Sequence, residues 1–210
     1  FFKTGPGDYG AGDQFLGVTV PQTRKIALKY KDLPLKDITH VLGSQYHEER
    51  LLGLVILVSQ YQRAKTLGER DRLIRFYLQR KSAINNWDLV DLSCYKILGD
   101  YCLETNDPKL LEKLLSSKKL WDRRMAIVST FAFIRAGQTD LTFSFAKRLL
   151  RTPEDLMHKA TGWMLREAGK RNLKGLRAFL DKNSAEMPRT MLRYAIERLP
   201  KKERLHYLTR

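Results

Sequence analysis

The sequence predicts an all-α fold: a superhelical solenoid of antiparallel helix pairs (HEAT-like or ARM-type repeats) with a concave basic face. Three observations carry this expectation. Apolar residues recur at three- and four-residue intervals almost without interruption, and strand-like alternation with Gly-Asn or Asn-Gly turns is absent. The links between helical segments are short, which makes neighbouring helices antiparallel. Segments opening the second helix of a pair also recur, as His47-Glu48-Glu49-Arg50, Trp87-Asp88, Trp121-Asp122-Arg123-Arg124, His158-Lys159-Ala160 and Pro188-Arg189. Their separations are 40, 34, about 37 and about 30 residues, the length of an irregular helical repeat that stacks to bury a shared core. A compact helical bundle is the competing architecture.

In chain order, residues 1–20 are Gly-rich (Gly5, Gly7, Gly10, Gly12, Gly17). They match neither the phosphate-loop nor the dinucleotide spacing and follow no strand, so a structural loop is expected rather than a nucleotide site. Thr19-Val20-Pro21 opens a helix with Pro in its first turn, running from Gln22 to Tyr30. Leu35 to Leu42 is a short helix, and Glu48 to Lys65 is long and apolar on one side (Leu51, Leu52, Val55, Ile56, Val58). Helices follow over 69–80, 86–104, 108–116, 121–136, 139–150, 153–170, 173–181 and 188–198. At 210 residues a single domain spanning 1–210 is expected. The chain begins at Phe1 without Met or signal-peptide grammar, so an N-terminal helix preceding this segment is expected.

Charge is the unusual part of the composition. Hydrophobic residues make up 43% and charged residues 30%, but 39 Lys and Arg against 23 Asp and Glu give a net charge of +16 and a pI near 9.9. That excess points to a polyanion, nucleic acid before an anionic membrane. No run of 18 apolar residues exists to span a bilayer. Cys94 and Cys102, eight apart in helical patterns, read as reduced packing residues, which fits a cytoplasmic protein. The basic residues recur at helix starts (Lys118 to Arg124, Lys159, Arg189), where the helix N-terminus already attracts phosphate and an Arg adds a bidentate contact. Along one face this makes a phosphate track that fixes position and reads no sequence.

One stretch stands apart. In Asn85-Asn86-Trp87-Asp88-Leu89-Val90-Asp91, Asn86 can cap a helix and Asp88 sits where the helix dipole favours an anion. Trp87 and Asp91 share a face, and with Val90, Cys94 and Leu98 that face reads as the inward one. An inward carboxylate beside an indole is costly unless something cationic or hydrogen-bonding meets it. An Arg or Lys from a neighbouring repeat is the ordinary partner; a functional role is the other reading. Trp163, four after Lys159, lies at the edge of the stripe Ala160, Met164, Leu165 and Ala168, where an indole can show its face to a cation. Repeat alignment would bring Trp87, Asp91, Arg124 and Trp163 within reach of one another, whereas Trp121 reads as core. Metal chemistry is poorly supported, because His40, His47, His158 and His206 show no pairing at ligand spacing. No nucleophile elbow is present.

These segments resemble the DNA alkylation-repair glycosylases of the AlkD type. The likeness is carried by Phe1-Phe2-Lys3-Thr4-Gly5-Pro6-Gly7 with Gly12-Asp13 and Phe15-Leu16-Gly17, then His47 to Leu52, Asn86 to Asp91, Trp121 to Ala126 and His158 to Glu167. Five ordered motifs cover essentially the whole chain. The resemblance implies that Trp87 is a site aromatic, Asp91 the catalytic carboxylate and Trp163 a second aromatic, with Arg124 contacting DNA and Arg123 the alternative. Lys159, Arg166, Lys119 and Arg189 complete the expected DNA-binding set. It implies release of N3- and N7-alkylated purines (3-methyladenine, 7-methylguanine) from duplex DNA in base excision repair, without metal or cofactor. A monomer in the bacterial cytoplasm or nucleoid is expected, with no membrane and no obligate protein partner. The lesion range is left open, as is the choice between general base and charge stabiliser for Asp91. Two other classes compete: a non-catalytic helical-repeat DNA-binding protein, and a protein-interaction scaffold that would need neither +16 nor the Trp-Asp-Trp grouping.

Overall fold

The structure, a computed structural model, describes residues 2–210; Phe1, the first residue of the Gly-rich motif, lies outside the described residues. Apart from one isolated bridge between Gln14 and Tyr46, the described secondary structure is helical. The contacts divide the chain into two compact units, 1–97 and 98–210.

The first unit is built around one helix. The elements are α1 (Val20–Lys29), α2 (Leu35–Leu42), α3 (His47–Arg63), α4 (Leu67–Gln79) and α5 (Trp87–Cys94). Helix α3 packs against all four others. Its residues Leu51, Leu54, Ile56, Leu57 and Tyr61 are at most 2% exposed. Helix α1 starts as its sequence demands, with a Thr19–Gln22 capping box and Pro21 in the first turn. Thr66 and Glu69 cap α4 in the same reciprocal way.

In the second unit, α6 (Asp100–Glu104), α7 (Lys109–Leu115), α8 (Leu120–Arg135), α9 (Asp140–Arg148), α10 (Asp155–Arg171), α11 (Leu173–Asn183) and α12 (Arg189–Ile196) follow in order. Helix α8 packs on α7, α9 and α10, and α10 packs on α9, α11 and α12, so alternate helices form a continuous stack. Two close approaches to a neighbouring backbone occur at glycines. A Cβ on Gly162 would collide with the Met191 carbonyl and the Tyr194 Cβ of α12, and one on Gly99 with the Ser129 carbonyl of α8.

Two elements differ from the sequence expectation. The segment read as one helix over 86–104 is α5, a π-helical turn at Tyr95–Gly99, and α6. The π turn ends at Gly99, where the chain presses on α8, a contact that helical periodicity does not register. The last helix, α13 (Lys201–Leu208), was not anticipated because it has almost no apolar stripe; only Tyr207 is buried. Polar contacts hold it instead. Arg177 donates twice to Glu203 (2.9 and 2.8 Å), and Tyr207 Oη donates to Asp181 (3.1 Å).

Gly162→Ala should therefore lower the unfolding free energy by about 1–3 kcal/mol, the scale of core overpacking. Gly68→Ala in α4, where nothing lies within 4 Å of the added Cβ, should raise it by about 0.4–1 kcal/mol through the unfolded chain. Urea denaturation of the two variants checks both signs.

Candidate active site

Helix α5 begins as its sequence specifies. Asn86, fully buried, is the N-cap, and its Oδ1 accepts from the Trp87 amide at 2.8 Å. Val90 and Cys94 are fully buried, as is Leu98 in the turn that follows. Trp87 and Asp91, however, are only half-buried. This corrects the inward placement: residues one apart on a helix are about 100° apart, so Val90 and Cys94 make the core stripe and Trp87 and Asp91 its rim. Both residues stand between core and surface.

What fixes the first turn of α5 is the Gly-rich loop. Three of its glycines, Gly7, Gly12 and Gly17, have φ of 84°, 87° and 79°, left-handed conformations that side chains disfavour. These turns lay residues 13–17 across the start of α3. The His47 amide donates to the Gln14 carbonyl (2.8 Å), and the amides of Leu16 and Gly17 donate to the Glu48 carboxylate (3.0 and 2.8 Å). Burial pushes the Glu48 carboxyl up, but those amides outweigh it and hold it below the usual range. The expectation of a structural loop is met, and the loop has a definite task.

That task centres on His47, 2% exposed. Its Nε2 lies 2.7 Å from Asp88 and its Nδ1 3.4 Å from Asp13. Asp13, from the loop, also accepts from Arg50 (2.7 Å), Asn86 (3.3 Å) and Asn85 (3.5 Å). A carboxylate on each ring nitrogen requires both nitrogens to donate, which only the imidazolium can do. Burial opposes that charge, but Asp88 and Asp13 outweigh it and raise the His47 pKa above the ordinary value. The ring is also flanked by Phe2 and Phe15, at centroid distances of 4.8 and 5.1 Å. Trp87 joins the same cluster: Phe2 lies 5.6 Å from it, and its Nε1 donates to the Tyr9 hydroxyl (3.3 Å). Asp88 is thus more than a helix-dipole anion.

In the second unit the expected residues fall on α8, α10 and α12. Trp163 is half-buried, with its ring 6.2 Å from Phe131. Arg124 is 4% exposed and donates to the Leu156 carbonyl. Arg123 donates to the carbonyls of Ser117 (3.1 Å) and Lys118 (2.9 Å) and pairs with Glu154. Lys159 pairs with Asp155 (2.7 Å), and Arg166 with Glu197 and Glu167. Arg189 is exposed and donates to the Leu208 carbonyl (2.9 Å), and Lys119 is exposed at the N-cap of α8. Trp121 is half-buried rather than core.

A repeat signature runs through these contacts. Arg50, Arg123 and His158 are each the fourth residue of their helices, and each donates back to the carbonyl six residues earlier, at Ser44, Ser117 and Thr152. They close the turn entering the helix. This supplies a structural role for His158 and for Arg123. The fifth position of α5, α8 and α10 holds Asp91, Arg124 and Lys159. No cluster of three or more potential metal ligands occurs among the described residues, and no described helix is long and apolar enough to cross a membrane.

These features describe a protein of stacked helices with a half-buried Asp and Trp at the start of α5. Residues 1–199 match the DNA alkylation repair enzyme family, and the chain belongs to it. A solved structure described as "Predicted DNA alkylation repair enzyme from Enterococcus faecalis" has the same fold, with a TM-score of 0.70 over 92% of each chain at 18% identity. Comparison with curated proteins gives no match.

The buried Asp13–Arg50 pair, with side chains 5% and 6% exposed, gives a direct test. Asp13→Asn should cost about 3–5 kcal/mol, the scale of stranding one buried charge. The His47 value is raised on folding, so its contribution is complete below about pH 6.5 and is lost as pH rises through the folded value. Wild-type stability in urea should fall over that alkaline limb, and the fall should shrink in Asp13→Asn.

Proposed function

We propose that this DNA alkylation repair enzyme is a glycosylase that hydrolyses the N-glycosidic bond of cationic alkylated purines, 3-methyladenine and 7-methylguanine, in duplex DNA. The observation that carries the reading is the half-buried Trp87 and Asp91 on the rim of α5, in a chain of net charge +16. Alkylation at N3 or N7 gives the base a formal positive charge. When the bond from the base nitrogen to C1′ breaks, its electron pair neutralises that charge, and positive charge develops on the sugar as an oxocarbenium ion. The Asp91 carboxylate stabilises this ion electrostatically. Water then bonds to C1′, and its proton passes to Asp91 or to solvent. Trp87 and Trp163 present π faces to the sugar and the cationic base.

The basic residues divide by their surroundings. Lys119 and Arg189 are exposed and serve as phosphate contacts. Lys159 and Arg166 are ion-paired and reach DNA only by exchanging a carboxylate for a phosphate. Arg124 is buried against the Leu156 carbonyl and reaches DNA only by exchanging a present partner for a phosphate. Phosphate contacts hold the duplex with a steep salt dependence, each contributing about 0.9 to the slope of log affinity against log salt.

The test is release of 7-methylguanine, 3-methyladenine and neutral hypoxanthine from otherwise identical duplexes. The cationic bases should be released and hypoxanthine retained. Trp87→Ala should slow release by about tenfold, the scale of one lost cation–π contact of ~1–2 kcal/mol. Lys119→Ala with Arg189→Ala should weaken binding and reduce the salt slope by about 2, leaving the saturated rate unchanged. Binding without release of any base would leave a non-catalytic helical-repeat DNA-binding protein.

A further inference from the structure

We propose that His47 is a positioning residue for the reaction: bridging Asp13 of the Gly-rich loop and Asp88 of α5, it holds Trp87 and Asp91 in working register. The inference rests on the assignment of Trp87 and Asp91 above, and it goes beyond that assignment by adding a third residue and a pH dependence.

Three features of the cluster carry it. The two carboxylates belong to different segments, 75 residues apart, and His47 is the bridge between them. Asp88 is the residue after Trp87 and lies three before Asp91, so the bridge acts within the same first turn that bears both. The loop grips Trp87 independently, through Phe2 on its ring and Tyr9 on its Nε1. Loop, α3 and the start of α5 therefore move as one body while the bridge is intact.

The groups facing His47 are few. Asp13 comes from the loop, with Arg50 of α3 opposing it, and Asp88 comes from α5. Phe2 and Phe15 cover the ring. Glu48, the neighbour on α3, is occupied by the loop amides. The protonated ring satisfies both carboxylates; the neutral ring can donate to only one. The other then faces a nitrogen lone pair in a buried place, and the loop or the first turn of α5 must give. Burial resists the charge but the paired carboxylates prevail, so the loosening occurs above the ordinary histidine range.

The experiment reads Trp87 directly. In a Trp121→Phe/Trp163→Phe background Trp87 is the only indole left of three, and its emission is titrated from about pH 5 to 9, the interval that brackets histidine. A single step is expected above about pH 6.5, absent in His47→Gln and displaced downward in Asp88→Asn. A step that persists unchanged in His47→Gln, or no step in the parent, would overturn the proposal. Far-ultraviolet circular dichroism checks folding, and Asp88→Asn keeps the test decisive if His47→Gln does not fold.

With all three tryptophans in place, single-turnover release of 7-methylguanine should fall along the same alkaline limb. His47→Gln should be slower by about tenfold near neutral pH, the scale of one charge-assisted hydrogen bond, and should lack the limb. Absence of base release in the wild type would remove the glycosylase reading and leave the emission titration to decide on His47.

Discussion

The imidazolium of His47 between Asp13 and Asp88 is the contact on which the first unit depends. It joins a loop rich in left-handed glycines, the first turn of the central helix α3, and the first turn of α5. A buried ion pair is seldom a large net source of stability, because desolvation offsets most of the Coulomb gain. What such a network does well is exclude alternatives: with each member satisfied only in one register, any shift strands a buried charge. Arg50, Asn85 and Asn86 converging on Asp13 tighten that condition.

This constraint accounts for the glycines of the N-terminal segment. Turns at Gly7, Gly12 and Gly17 fold the segment over α3, so that one stretch supplies Asp13, Phe15 and the amides of Leu16 and Gly17. The opposing helix contributes His47, Glu48 and Arg50 within a single turn. On the proposed reading this cluster seats Trp87 and, through the same helical turn, Asp91; a carboxylate that need not reorganise is worth more to a developing cation. The second unit uses a simpler device, an Arg or His at the fourth helical position bonded back to the entering turn, repeated at Arg123 and His158.

Much of this was legible in the sequence, and the parts that were not share a cause. Helices with an apolar stripe were readable to within a few residues, as in Leu35–Leu42, where the bounds agree. Helix α13 escaped because Arg177–Glu203 and Tyr207–Asp181 hold it rather than a hydrophobic face. The π turn at Tyr95–Gly99 escaped because tertiary contact at Gly99, not local periodicity, marks it. In the site, the pairing of Trp87 with Asp91 follows from a four-residue spacing, whereas Asp13 meets His47 across 34 residues and no periodic signal links them. The motif Gly12-Asp13 and the run His47 to Arg50 were visible separately; their contact was not. Arg124, a DNA contact by resemblance, is 4% exposed and donates to the Leu156 carbonyl, a burial that its motif does not reveal.

In the proposed function the Asp91 carboxylate, rather than binding alone, drives base release. The most direct test is single-turnover release of 7-methylguanine from methylated duplex DNA by wild type and Asp91→Asn, with DNA affinity measured in parallel. A rate loss of about 10²-fold is expected, the scale of one preorganised electrostatic contact, at unchanged affinity. Equal rates in the two proteins, or a loss that tracks weakened binding, would contradict it.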